Sequence, residues 1–144
     1  ILRYGLIPDS GGPGKFCGGS GWVKEYLILD DQARLNLRAN MFIYPAWGVD
    51  GGLPGKTGCA VLNQGTPQEK SLPPRIADLR LKQGDVLWVQ TAGGGGVGDP
   101  RKRGKEKVLD DVENGYITRQ LAYQVFDVVI PDESKIGNIV KAKF

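Results

Sequence analysis

Three short blocks hold sixteen of the 22 glycines in this 144-residue chain, and their backbone is the part of the sequence best able to approach a ligand. The blocks span residues 11–21, 48–58 and 93–98. Glycine loses more backbone entropy on folding than any other residue, so blocks of it are expected where a side chain would not fit. Such backbone either lies against a ligand, where N–H groups stabilise a phosphate or a developing oxyanion, or packs against other backbone.

Carboxylates beside two of these blocks are the candidate catalytic groups. Asp9 precedes the first block and Asp99 follows the third. The competing interpretation, which we favour, is that both side chains only cap turns. For the glycines, the composition likewise favours backbone packing over contact with a ligand. The amides that are candidates for contact with a substrate or a phosphate belong to Gly12, Gly14, Gly94 and Gly95.

The chain contains no histidine and only two cysteines, Cys17 and Cys59. Histidine is the commonest general acid–base group, and its absence removes the usual Cys and Ser nucleophile arrangements. Two cysteines cannot complete an ordinary four-ligand zinc site. We therefore predict no metal site in this segment, reduced thiols in a cytoplasmic protein, and chemistry carried largely by the rest of a parent protein or by a partner.

Two glycine motifs come close to nucleotide-binding signatures and fail at specific residues. Residues 93–98 contain G-x-G-x-x-G, but Pro100 follows where the dinucleotide fingerprint needs a helix to open. Residues 55–57 resemble the end of a P-loop, but Asp50 stands where that motif requires its first glycine. The sequence therefore predicts no nucleotide site in these blocks.

Between the glycine blocks the sequence has the pattern of β-strands. Alternating apolar and polar residues over 34–41 predict a half-buried strand, and the β-rich run 22–29 precedes it. We expect these two strands to form a hairpin. A second hairpin is predicted with strands at 78–81 and 86–91.

The remaining β segments are short. Gly84 suits the turn of the second hairpin, where a positive φ is often needed. Residues 59–62 predict a short strand, and residues 64–74, with three prolines, predict a loop.

After Pro100 the pattern becomes helical. A helix is predicted over residues 105–114, with Gly115 at the position of a C-terminal cap. Thr118 is placed to cap a second short helix, and residues 127–131 are expected to be extended. The side chains expected to face inward are those of Val108, Leu109, Val112, Leu121, Ala122 and Val125.

These elements together predict a mainly β fold, with β-hairpins in a barrel-like or two-sheet arrangement, followed by two short C-terminal helices. The glycine blocks are compatible with polyproline-II-like segments, in which glycine allows axes to pack closely. We divide the chain into a glycine-rich β domain at 1–100, a helical appendix at 101–131 and a C-terminal tail at 132–144. Because Ile1 lies in what reads as a strand, we expect the chain to be a fragment or a processed piece.

Charge and hydropathy exclude two classes of partner. The net charge is +3, and the one basic run, residues 101–107, has no interleaved aromatic residues. This balance is too mild for a nucleic-acid reader, and we interpret the run as a solvated loop that enters a helix, with binding of an anion or an acidic partner as the alternative. No apolar run reaches the roughly 20 residues of a membrane span.

Four motifs occur in order along the chain. Residues 9–19 match DSGGPGxxRGG except at Cys17, and residues 47–55 read WGxxGGxPG. Residues 84–100 read GDxxxxxTxGGGGxGDP, and residues 115–118 read GYxT. In this order and spacing they resemble the hydantoinase B/oxoprolinase family, which includes N-methylhydantoinase B type subunits and is related to acetone and acetophenone carboxylase subunits. The likeness covers nearly the whole chain.

The resemblance implies that the chain is the C-terminal part of a longer subunit. In that family a hydantoinase A-type partner binds ATP, a divalent metal lies in the N-terminal part of the subunit, and the hetero-oligomer hydrolyses hydantoin, 5-oxoproline or a lactam, or carboxylates a ketone. The role implied for this segment is scaffold, chamber wall and subunit contact. The alternative is a non-catalytic accessory or interaction subunit of such a complex.

Overall fold

The structure is a computed structural model, and it describes residues 1–130. Two short helices follow seven β-strands, and a 3₁₀ turn at Pro100–Lys102 separates them. The helices are α1, Lys105–Glu113, and α2, Arg119–Phe126. The strands are β1 Arg3–Leu6, β2 Trp22–Leu27, β3 Arg34–Arg38, β4 Cys59–Leu62, β5 Lys70–Leu72, β6 Arg75–Arg80 and β7 Val86–Gln90.

The strands form two antiparallel sheets. The larger has the order β1-β2-β7-β4-β5, and the smaller pairs β3 with β6. The mainly β fold and the two-sheet arrangement predicted from the sequence are therefore confirmed. The described strands form no closed barrel.

Both predicted hairpins are wrong in their pairing. The strand β2 pairs with β7, whereas β3 pairs with β6, so each predicted hairpin connects the two sheets instead of lying within one. The segments that connect β2 to β3 and β6 to β7 lie side by side. Ile28 N donates to Asp85 O (2.9 Å), and Leu81 N donates to Ala33 O (3.0 Å). Apolar alternation locates a strand but does not identify its neighbour. The strand β2 buries the same face whether it pairs with β3 or with β7, and the same holds for β3 with β2 or β6.

The core between the sheets draws on both of them. Ala60, Leu72 and Leu87 are buried there. Partly buried residues from the smaller sheet pack against them, namely Leu35, Leu37, Ile76 and Leu79. The smaller sheet therefore covers one face of the larger one.

Two of the smaller predictions are confirmed and one is partly wrong. The strand at Cys59–Leu62 is present, and Gly84 has a φ of 89° in its turn. Residues 64–74 were expected to form only a loop, yet Lys70–Leu72 form the edge strand β5. Burial of Leu72 in the core accounts for the difference, because a single apolar side chain among polar neighbours gives no periodic signal.

The helices begin and end where the sequence predicts. The Thr118 hydroxyl accepts a hydrogen bond from Leu121 N at the start of α2, and Gly115, with a φ of 73°, follows the end of α1. Leu109 is a correction, because its side chain is 37% exposed whereas Val108 is fully buried. The core beside the helices consists of Val108, Ile117, Ala122, Phe126 and Val128, with Val112, Leu121 and Val125 packed against it.

The predicted division at residue 100 stays a prediction. The tail proposed for residues 132–144 lies outside the described residues.

Replacing Val108 by Ala is expected to lower the free energy of unfolding by about 2 kcal/mol, because it leaves a void in a closed core. Leu109→Ala, one position along the same helix, is the matched control and is expected to cost less than about 1 kcal/mol. Urea unfolding of the full chain measures both. Equal losses for the two variants would contradict the placement of α1.

The carboxyl of Asp85 predicts a pH dependence of stability. It accepts hydrogen bonds from Asn63 Nδ2 (2.9 Å) and Lys82 N (2.8 Å), which hold its pKa below the usual 3.8. A lowered pKa stabilises the fold above the unfolded-state pKa, and this contribution is lost as the pH falls through the lower folded-state value. Thermal unfolding should therefore show that Asp85→Asn is less stable than the parent at pH 6, and that the gap narrows below pH 4. A stability difference between Asp85→Asn and the parent that increases below pH 4 would contradict this prediction.

Candidate functional site

The three glycine blocks come together through their backbones, and we call this assembly the glycine cluster. Residues 93–98 lie between the other two blocks and hydrogen-bond to both. The bonds to the first block are Gly12 N to Gly94 O (2.8 Å) and Gly94 N to Gly19 O (2.9 Å). Those to the second are Gly96 N to Leu53 O and Val49 N to Gly96 O, both 2.9 Å, and Leu53 N to Pro13 O (2.7 Å) joins the outer blocks directly.

The glycine cluster leaves no room for side chains at most of its contacts. A Cβ atom on Gly12 would lie 2.6 Å from Gly96 N, and one on Gly14 would lie 2.6 Å from Val97 N. A Cβ on Gly95 would overlap the carbonyl of Trp47. Backbone therefore packs on backbone, which is one of the two uses of glycine that the sequence left open. The polyproline-II character of the segments stays a prediction.

The four candidate amides have different surroundings. Those of Gly12 and Gly94 donate to carbonyls inside the cluster. Those of Gly14 and Gly95 meet no backbone or side-chain acceptor within residues 1–130. A role in substrate or phosphate contact stays a prediction for all four amides. The N–H groups of Gly14 and Gly95 are the two that could still donate a hydrogen bond to a ligand.

Asp9 joins the glycine cluster to the helices. Its backbone is left-handed (φ 58°), and its carboxylate accepts hydrogen bonds from Thr118 N (2.7 Å) and Thr118 Oγ1 (2.8 Å). Its own N–H donates to Tyr116 O (2.9 Å). A carboxylate at a helix N-terminus also interacts favourably with the helix dipole, so these contacts account for an acidic residue here without catalysis.

Asp99 caps a different element. Its Oδ1 accepts a hydrogen bond from Arg101 N (3.0 Å) at the start of the 3₁₀ turn. Asp9 and Asp99 therefore hydrogen-bond to separate parts of the structure and share no partner within residues 1–130. A catalytic role for either carboxylate stays a prediction.

Ser10 is a structural residue that the sequence reasoning missed. It is completely buried, its hydroxyl donates to Ile7 O (2.6 Å), and its Oγ accepts from Gly21 N (2.8 Å). The bond to Gly21 N connects the residue just before the first glycine block with the last residue of that block. Its position between Asp9 and Gly11 is the signal that could have found it, since a short hydroxyl in a glycine turn often bonds to nearby backbone.

Arg103 is the second missed residue, and it departs from the prediction of a solvated loop at 101–107, whose other residues are exposed and lead into α1 as expected. Its guanidinium donates to both carboxylate oxygens of Asp111, at 2.9 and 3.1 Å, and to Lys15 O (3.1 Å). The two charged side chains are 12% and 14% exposed. A fork-shaped pair of this kind fixes orientation as well as distance, so it holds α1 against the first glycine block.

A cavity of about 400 Å³ lies where the first glycine block meets the helices. Cys17 lines it with Arg103, Asp111 and Tyr116. Burial raises the pKa of the Cys17 thiol, and Sγ donates a long hydrogen bond to Gly14 O (3.7 Å). The thiol is therefore protonated near neutral pH, which disfavours it as a nucleophile. Cys17 and Cys59 are both free thiols.

Exposed apolar side chains form a second feature, which we call the apolar wall. It comprises residues 41–47 and borders an open cavity of about 780 Å³ that Pro73 and Pro74 also line. Ile43 is 67% exposed, Tyr44 75% and Trp47 81%. Contiguous exposed apolar surface of this kind is typical of interaction sites.

Residues 1–130 contain neither a cluster suited to a metal ion nor a membrane-spanning helix. No group of three or more His, Cys, Asp or Glu side chains in that part of the chain is arranged to hold a metal. No helix there has the length and hydrophobicity needed to cross a bilayer.

Comparison with known proteins identifies the family. The sequence model of the hydantoinase B/oxoprolinase family matches residues 1–100. The chain belongs to this family. The resemblance found in the motifs is thereby confirmed.

Individual relatives agree with this assignment. The chain is 32% identical over 137 residues to a protein from Pseudomonas sp. (strain NS671) described as the putative B component of a D-/L-hydantoinase, covering 94% of this chain and 23% of the relative. The crystal structure of ATP-dependent caprolactamase from Pseudomonas jessenii superimposes with a TM-score of 0.74 at 28% identity, over 92% of this chain and 24% of that one.

A nucleotide-free structure of acetone carboxylase shares the fold, with a TM-score of 0.74 at 20% identity, over 99% of this chain and 25% of that one. The chain therefore spans about a quarter of the length of the proteins it matches.

A methyl group at Gly18 should disrupt the glycine cluster, whereas one at Gly19 should not. A Cβ on Gly18 would overlap Gly94 and lie 2.8 Å from Gly95 O, while a Cβ on Gly19 meets nothing within 4 Å. Gly18→Ala is expected to cost about 3 kcal/mol, at the upper end of overpacking effects, and Gly19→Ala less than about 1 kcal/mol. Denaturant unfolding of the two variants decides the point. Equal tolerance of both would show that the three blocks do not pack backbone on backbone.

Proposed function

We propose that this chain is the scaffold, chamber-wall and contact region of a hydantoinase B-type subunit in an ATP-dependent enzyme complex. Membership of the family supports the subunit type, and the names of its relatives support the class of complex. The reaction we assign to the whole complex is opening of a cyclic amide, such as a hydantoin, 5-oxoproline or a lactam. Relatives named for cyclic-amide hydrolysis are 28–32% identical to the chain, whereas those named acetone carboxylase are 20–24% identical. Ketone carboxylation is therefore the second candidate.

The observation that carries the proposed role is the contrast between the polar groups and the apolar wall. The carboxylates of Asp9 and Asp99 accept hydrogen bonds from backbone at helix and turn starts. The guanidinium of Arg103 is bound to Asp111 and Lys15. The side chains of Ile43, Tyr44 and Trp47 in the apolar wall, by contrast, are exposed. The region is thus built to hold its own shape and to offer a surface to other protein.

The chemistry would then be supplied by other parts of the complex. In this proposal ATP binds to a hydantoinase A-type partner, and a divalent metal binds in the N-terminal part of the subunit. Residues 1–130 show no cluster suited to such a metal, so no step of the reaction is assigned to one here. The assembled protein would be a cytoplasmic hetero-oligomer. Where the glycine cluster borders the reaction chamber, the amides of Gly14 and Gly95 are the groups able to donate to a phosphate or an oxyanion.

Reconstitution of the complete subunit with a hydantoinase A-type protein tests the activity. Ring opening of a hydantoin or lactam that consumes ATP, with no requirement for bicarbonate, is expected. ATP consumption that requires both a ketone and bicarbonate would replace this reaction with carboxylation. Turnover that is unaffected by omitting the subunit would instead support a non-catalytic accessory role.

Replacing Ile43 by Ser should weaken assembly of the complex at least about 10-fold, because it removes a central apolar contact of the wall. Leu29→Ser is the matched control, since Leu29 is similarly exposed (75% against 67% for Ile43) but lies outside the wall. Titration of the two full-length variants against the partner, together with their thermal unfolding, separates binding from folding. Equal affinities of the two variants for the partner would show that the apolar wall is not part of the interface.

A further inference from the structure

An open edge of the larger sheet carries an inference beyond the apolar wall, and it rests on the proposed function. The strand β1 lies at one end of that sheet and pairs only with β2 among residues 1–130. We propose that this edge is completed by an extended β-strand from the part of a longer hydantoinase B-type subunit that lies outside the matched quarter. The strand would add to the sheet through backbone hydrogen bonds.

The register of β1 identifies the backbone groups that such a strand would meet. Ile7 N donates to Gly21 O (2.9 Å), and Gly5 lies opposite Val23 in the same antiparallel register. Because the N–H and C=O groups of successive residues alternate in direction along a strand, Tyr4 and Leu6 direct theirs away from β2. These are the outward donors and acceptors of the edge.

The side chains at those positions carry no charge. Tyr4 and Leu6 are 66% and 52% exposed and lie on the same face of the strand. Tyr4 also lies edge-on to Trp22, at 6.1 Å between ring centroids, and the Lys24 ammonium lies 4.7 Å from the Tyr4 ring centre, so this face combines aromatic surface with one positive charge. Soluble proteins normally protect an edge with charge or proline, so apolar residues at its outward positions indicate a covered edge.

The other sheet edges provide the contrast. The opposite edge, β5, contains Lys70 and is followed directly by Pro73 and Pro74. Both strands of the smaller sheet begin and end with arginine. The strand β1 also begins with a charged residue, Arg3, but its two outward positions hold the uncharged side chains of Tyr4 and Leu6.

The same contacts define the chemistry of the incoming strand. Its apolar residues would alternate so as to pack beside Tyr4 and Leu6. On the opposite face Arg3, whose guanidinium lies 5.3 Å from the ring centre of Trp88, favours an acidic or polar side chain. The occupant is therefore an amphipathic strand with one apolar face, supplied within the same subunit.

Hydrogen–deuterium exchange on the complete subunit, without its partner, tests the inference. The amides of Tyr4 and Leu6 are expected to exchange on the order of 100-fold more slowly than the exposed loop amide of Gly104. Exchange as fast as at Gly104 would overturn the inference. So would protection that appears only when the partner is added, or only as the subunit concentration rises, because the strand would then come from another chain.

A pair of variants separates the backbone contact from the side chain. Tyr4→Pro removes the outward N–H and should abolish protection at Leu6, whereas Tyr4→Ala loses the same ring but keeps the N–H and should retain it. Equal protection at Leu6 in both would contradict strand addition, and if Tyr4→Pro fails to fold, exchange in the unaltered subunit still decides. ATP-dependent turnover of the same preparation is measured separately, so that protection without turnover would reject the proposed function and leave the strand in place.

Discussion

The fold depends on one constraint, the contact of three backbone segments at distances that exclude a Cβ atom. Residues 93–98 lie between the other two glycine blocks, and a methyl group on Gly12, Gly14 or Gly18 would overlap backbone of a neighbouring segment. Main-chain hydrogen bonds replace side-chain packing there, so the cluster holds together without a conventional apolar core. The sheets and helices attach to it at its borders. Ser10 closes the first block on itself, and Arg103 ties α1 to that block through Lys15 O.

The sequence predicted those parts of the structure that are determined by local chemistry. Helix boundaries followed from Thr118 and Gly115, because capping depends on a few consecutive residues. Strand pairing was predicted wrongly, because β2 and β3 bury the same faces whether they pair with each other or with β7 and β6. The ordered glycine motifs identified the family, whereas nothing in the basic run at 101–107 indicated that Arg103 would form a largely buried ion pair with Asp111 of α1.

In the candidate site, too, contacts between residues that are distant in the sequence could not be predicted from local sequence. Asp9 and Asp99 stood out as acidic residues beside glycine, and their hydrogen bonds to Thr118 and Arg101 could be found only in three dimensions. Two of the four candidate amides are taken up by the cluster, which composition alone could not reveal. Within residues 1–130 the candidate amides left without an acceptor are those of Gly14 and Gly95, and the apolar wall is left without a covering element. In the proposed complex this division separates a rigid frame from the reacting groups, which would lie in other parts of the assembly.

The most direct test of this account is the turnover of the reconstituted complex with both candidate carboxylates neutralised. Asp9→Asn and Asp99→Asn both remove the acid–base function. Asp99→Asn keeps an oxygen that accepts from Arg101 N, and Asp9→Asn keeps one that accepts from Thr118 N but loses the bond from Thr118 Oγ1. If both residues are structural, the kcat of the double variant should stay within about 10-fold of the parent while the complex remains assembled. A fall of roughly 100-fold or more, with assembly and thermal stability unchanged, would show that this region takes part in the chemistry and would contradict the account.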